Sequence, residues 1–321
     1  MQMMKRNLKI LLLAVFVAAA SCSFTTKSFD DPDKDKLLID LITYVLEKGH
    51  YNPKDMDDTF SEGVYEDFIE ALDPLKRYFL ASDIESFEVY RTEIDDQLKA
   101  KDLTFFNLVF ETYQKRMEDA KGFYKQVLET PFDYNANESI NVDYDELAYA
   151  ASKNELKERW RQQLKFSTIG NYYDLVEEND TKTKEEEGYE RKSDASLEEK
   201  ARTTTRNSLD EYFDFTDDLE RKDYFAIFLN NIVEEFDPHT NYLAPPDRDR
   251  FDLRMSGKLE GIGARLQKNN DNIKVVEVIS GGPAWRGEHI EVGDIITKVK
   301  QEDEEEPISI VGMRLDDAVQ L

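Results

Sequence analysis

Leu259-Glu260-Gly261-Ile262-Gly263-Ala264-Arg265-Leu266, followed by Ile279-Ser280-Gly281-Gly282-Pro283-Ala284, is the stretch on which the reading of this chain turns. Two glycines flank one apolar residue at the mouth of a strand. Glycine adopts positive φ without steric cost, so consecutive backbone N–H groups can converge on one point. Such a nest suits a carboxylate. The strand that follows offers an edge to which an extended peptide can add.

Working outward, Ile273 to Ile279 is a short β-branched run bounded by Asn and Asp before it and glycines after it. Ile295 to Val299, after Val292-Gly293-Asp294, is a second such run, and Ile308 to Val311 a third. Arg314 to Leu321 begins a helix with Leu315, Ala318 and Val319 as apolar members, and the chain stops inside it. Residues 255–321 are therefore expected to be a small β-rich domain, incomplete at its C-terminus.

Upstream the periodicity is helical. Leu37, Leu38, Leu41, Ile42, Val45 and Leu46 share a stripe, and Val64, Tyr65, Phe68, Ile69 and Leu72 repeat it. Ser82 and Glu85 have capping-box spacing. An aromatic-rich helix is expected from Thr104 to Leu128, and another from near Asp145 through Leu164. Asp237-Pro238 stops the last helix, because proline removes a donor and restricts the residue before it. Pro245-Pro246 reads as a rigid junction. The expected fold class is α+β and multidomain: an all-α N-terminal domain over 36–240, a junction at 241–254, then the β-rich domain. Within the helical part, residues 177–205 form a polar insertion that is either a solvated helix or a disordered loop.

The N-terminus reads as a leader. Lys5 and Arg6 precede an apolar run strongest from Ile10 to Ala20, which ends at Ala19-Ala20-Ser21-Cys22. A basic start, a short apolar stretch and small residues make a secretory signal. Cleavage before Cys22 would free a thiol for lipid attachment, an arrangement that resembles the bacterial lipoprotein signal, although Ala19 stands where Leu is commoner. Residues 1–21 are thus the expected signal peptide and 22–35 a tether, and the chain is expected to be exported, periplasmic and membrane-anchored through Cys22. With a single cysteine no intrachain disulfide forms. Lys and Arg total 42 against 69 Asp and Glu, a formal charge of −27 that repels nucleic acid and anionic lipid.

The combination of leader, helical domain, Phe236-Asp237-Pro238-His239-Thr240-Asn241-Tyr242-Leu243 and the paired glycine motifs resembles the tail-specific (carboxy-terminal processing) proteases, exported serine endopeptidases of the Ser–Lys type. The glycine segment resembles their PDZ domain, which grips polypeptide C-termini. The resemblance implies that Gly261, Ile262, Gly263 and Ala264 bind the terminal carboxylate. It implies further that Arg265 and Leu266 pair with the substrate, and that Leu315 and Val319 line the apolar side-chain pocket. The partners it implies are apolar free C-termini; a separate reading has the helical region bind a regulatory or cell-wall lipoprotein. In that family the nucleophilic Ser and its Lys follow the PDZ domain, so neither role falls on a residue of this chain, which is expected to end before the cutting domain.

Other chemistries fit poorly. Gly261-Ile262-Gly263 lacks the third glycine of a dinucleotide loop, since Leu266 stands there and no helix opens. Asp31, Asp33 and Asp35 imitate a calcium loop, but Lys36 replaces its glycine and Ile42 its bidentate Glu. The histidines His50, His239 and His289 offer no zinc spacing, and His239 reads as a turn residue. Ser256 and Ser280 read as ordinary loop residues. Phe105, Phe106, Phe110, Tyr113, Phe123 and Tyr124 form a stripe expected to be core. No cofactor is expected. Two functions remain open at this level: the substrate-recognition portion of a protease, or a non-enzymatic lipoprotein adaptor built on the same PDZ domain.

Overall fold

A computed structural model describes residues 32–186, 188–256, 261–301 and 306–321. The leader and Cys22 lie outside these residues. The described residues are mostly helical up to Ser256 and carry their strands after Ala264.

Helix α1 spans Pro32–Gly49, α2 Asp58–Leu72, α3 Ala81–Phe87, α4 Ile94–Ala100 and α5 Thr104–Val127. Helices α6 (Lys153–Glu185), α7 (Asp194–Asp217) and α8 (Arg221–Glu234) complete the main bundle, and α9 (Pro245–Ser256) follows. Two long helices, α6 and α7, occupy most of the polar stretch 177–205, with the connection between them near residue 188. The expected junction at 241–254 likewise carries helix: α9 opens on Pro245 and Pro246, which suits the first turn because proline's missing N–H has no intrahelical partner there.

The helical core is aromatic. Phe68, Phe79, Phe105, Phe106, Tyr124 and Trp160 are fully buried, and Phe106 stacks on Phe228 at 5.5 Å. Tyr113 is also buried, while Phe110 and Phe123 pack on the periphery. Burying each such ring stabilises the fold by about 1.5–3 kcal/mol.

Two local expectations are corrected. Helix α3 starts at Ala81 rather than behind Ser82, and the Asp83 carboxylate, not Glu85, accepts the Leu80 N–H at 2.9 Å. Asp83 is fixed there because Arg116 of α5 grips it with two bonds of 2.7 and 2.8 Å. Helix α6 begins at Lys153, not near Asp145, because Ser152 caps it by accepting the Glu155 N–H.

In the C-terminal part, β1 (Ala264–Asn269), β2 (Asn272–Val278) and β3 (Ile295–Ile296) form an antiparallel sheet in the order β1-β2-β3. The short helix α10 (Pro283–Gly287) follows β2. Strands β4 (Lys298–Val299) and β5 (Ile308–Ser309) pair separately, and α11 (Leu315–Val319) ends the domain. The run expected as one strand from Ile295 to Val299 is divided at Thr297: its first half pairs with β2 and its second with β5. Ile273, Ile310 and Ala318 form the small core of this domain, with Leu266, Met313 and Leu315 packed against it.

Candidate functional site

The two glycine motifs meet. Gly263 has φ +76°, and a Cβ there would lie 2.8 Å from Pro283 Cδ and 3.1 Å from Gly282 Cα. Conformation and close approach both require glycine at this position. The approach lets the second motif hold the first by its carbonyls: Ala284 N–H donates to the Ile262 oxygen at 2.8 Å, and Ile279 N–H to the Gly263 oxygen at 2.9 Å.

That pairing orients the amides. In a trans peptide the C=O and the following N–H point in opposite directions. With the carbonyls of Ile262 and Gly263 turned toward residues 279–284, the N–H groups of Gly263 and Ala264 point away from that turn. The N–H groups of Gly261, Ile262 and Gly263 donate no hydrogen bond among the described residues. Gly261 has φ +140° with open space where a Cβ would stand, so the loop mouth is unobstructed there.

Strand β1 lies at the edge of its sheet, with β2 on one side and, among the described residues, no strand on the other. Its register with β2 is irregular between Arg265 and Leu266. Arg265 projects into solvent and pairs with Glu277 across the strands at 3.0 Å. Leu266 turns inward onto the small core. Of the two helix residues, Leu315 is half-buried against that core, whereas Val319 is 63% exposed; Ile262 in the loop is 44% exposed. Ile262 and Val319 are thus the exposed apolar residues of the loop and of α11, whereas Leu315 is turned toward the core.

No sequence pattern marks the groups that tie this domain to the helices. Lys268 of β1 donates to Asp218 at 2.6 Å, Arg314 pairs with Asp223 at 2.9 Å and Glu220 at 3.3 Å, and Arg250 of α9 pairs with Asp316. Burial opposes the charge on Arg314, but the Asp223 hydrogen bond and the charges of Asp223, Glu220 and Asp317 together outweigh it and hold its pKa above the usual arginine value. These partners sit far apart in sequence, beyond the reach of any local pattern.

The histidines are structural in placement. The exposed His239 contacts Asp237 through its backbone N–H and ring, and Tyr51 also donates to Asp237. His50 contacts the Asn52 carbonyl and the Thr240 hydroxyl, so residues 50–54 pin the turn after α8. Ser256 is the last residue of α9 rather than a loop residue, and it donates to the Leu253 carbonyl. Among the described residues no group of His, Cys, Asp and Glu is arranged to hold a metal, and no helix is long and apolar enough to cross a membrane.

Comparison with known proteins is consistent with this arrangement. Residues 42–246 match the tail specific protease N-terminal domain, and residues 251–321 match the PDZ domain. The chain is 28% identical over 291 residues to a tail-specific protease of Haemophilus influenzae, covering 90% of this chain and 39% of that protein. A probable CtpA-like serine protease of Staphylococcus aureus is 38% identical over 92 residues, covering 28% of this chain and 17% of that one. The chain thus spans about two fifths of the first relative's length and less of the second's. By the match across its helices and the PDZ domain behind them, this chain belongs to the tail-specific protease family.

Proposed function

We propose that this chain is the substrate-recognition portion of an exported serine-type endopeptidase that cleaves proteins after gripping their C-terminal tails. The observation that carries the reading is the set of amides at Gly261–Gly263, unengaged among the described residues, beside the edge of β1. A tail carboxylate accepts from those amides and from Ala264, its backbone adds to β1 along Arg265 and Leu266, and its last side chain rests on Ile262, Leu315 and Val319. Each charge-assisted N–H to carboxylate bond contributes about 1.5–3 kcal/mol. The helical domain serves as scaffold, and the nucleophile belongs to sequence beyond the PDZ domain. Export to the periplasm, and lipid attachment at Cys22, belong to the same reading and rest on the leader.

The test is fluorescence anisotropy with ten-residue peptides ending in apolar residues, as free acids and as C-terminal amides. Amidation is expected to weaken binding by about tenfold or more, since it removes the charge that the amides stabilise. Equal affinity for acid and amide would overturn the assignment of the nest.

A further inference from the structure

Antiparallel addition to β1 fixes the direction of an incoming chain. A tail whose carboxylate sits at Gly261–Gly263 runs beside β1 with its upstream residues toward Asn269. At about 3.4 Å per residue, the six residues of β1 accompany about six residues of such a tail. The upstream end of β1, from Gln267 to Asn270, forms one wall of a cleft of about 1120 Å³, whose other walls come from α1, α7, α8, α9 and the start of α11. This exceeds the roughly 300–1,000 Å³ typical of small-molecule sites and suits several residues of extended polypeptide.

The lining is unbalanced in charge, with ten carboxylates and five cationic side chains. The cations are engaged by the protein's own acids: Lys268 by Asp218, Arg314 by Asp223, Arg250 by Asp316 and Lys222 by Glu220, and Lys34 is likewise not free. Glu211 and Asp214 of α7 and Asp249 of α9 form no ion pair among the described residues. Those three carboxylates face the space that the upstream part of a bound tail must cross.

The geometry points to this cleft as an extension of the peptide groove that selects tails carrying Lys or Arg about six to ten residues before the free C-terminus. The inference rests on the groove reading above. It adds a specificity that the nest alone cannot supply, because a carboxylate clasp and a backbone edge accept any apolar tail. The net charge of −27 acts in the same direction, disfavouring acidic tails at longer range.

The experiment uses the full chain with four fluorescent peptides sharing one apolar free-acid end. One is a five-residue tail, one a twelve-residue tail with three lysines upstream, one its glutamate counterpart, and one the lysine peptide as an amide. The lysine peptide is expected to bind about fivefold tighter than the glutamate peptide in low salt, and the advantage is expected to vanish between about 0.01 M and 1 M salt. The Glu211→Gln/Asp214→Asn double variant should lose most of the lysine preference while binding the five-residue tail as before, which also reports that it is folded. Equal binding of lysine and glutamate peptides, with free acid still favoured over amide, would overturn the cleft and leave the nest standing. A lysine preference unchanged in the double variant would overturn the assigned carboxylates. Equal binding of acid and amide would overturn the groove itself.

Discussion

Gly263 is the residue at which local and tertiary demands coincide. Its φ of +76° and the 2.8 Å approach of Pro283 leave no room for a side chain. Gly263→Ala is expected to destabilise the C-terminal domain by about 1–3 kcal/mol, read as a lower urea midpoint for that domain, and to weaken free-acid peptide binding. Gly261 has the same chemistry but open space around it. Asp237 makes a second residue-level case. The hydrogen bond from Tyr51, followed by the backbone N–H of His239, pulls its pKa down to about 2. A depressed carboxyl contributes stability that is complete above its unfolded value near about 4 and is lost as pH falls through the folded value. Asp237→Asn should therefore melt below the native chain at neutral pH in calorimetry, with the gap narrowing below about pH 4 and closed below about pH 2.

Among the elements, α3 and α5 are joined by a buried pair. Arg116 reaches both oxygens of Asp83, and both side chains are largely shielded from water. Removing one partner strands the other charge, so Arg116→Met should cost about 3–5 kcal/mol in global unfolding by denaturant, and Arg116→Met with Asp83→Asn together should cost less than the two separately. The pair also explains why α3 starts where it does. Ser82 and Glu85 have the right spacing, yet Asp83 caps because α5 holds it. At the start of α6 Ser152 serves directly, and the residues before it have no helical role despite their apolar members.

Over the whole molecule, stability is unevenly distributed. The helical core buries many aromatic rings, whereas beyond Ala264 the buried apolar residues among those described are Ile273, Val275, Ala284, Ile310 and Ala318. So small a core is reinforced by the ion pairs to α7 and α8 at Lys268 and Arg314, both partly shielded. Lys268→Ala with Arg314→Ala is expected to leave the helical transition in place. It should raise hydrogen exchange across β1 and β2 severalfold, as the C-terminal domain comes to open on its own. Were exchange unchanged, the pairs would be ornamental contacts of the surface type.

The helical character of the first two thirds, the stop at Asp237-Pro238 and the glycine pair at the mouth of β1 were legible in the sequence by itself, because each depends on neighbours within a few residues. The glycines announced a positive-φ loop before any fold was known. The tertiary structure alone decided which carboxylate caps α3, and where the run from Ile295 to Val299 changes sheet at Thr297. It alone also brought α7, α8 and α9 against the far end of β1 to enclose a cleft. Those outcomes rest on partners such as Lys268 with Asp218 and Arg314 with Asp223, which are strangers along the chain. Periodicity reports the face a residue presents; only packing reports what meets that face.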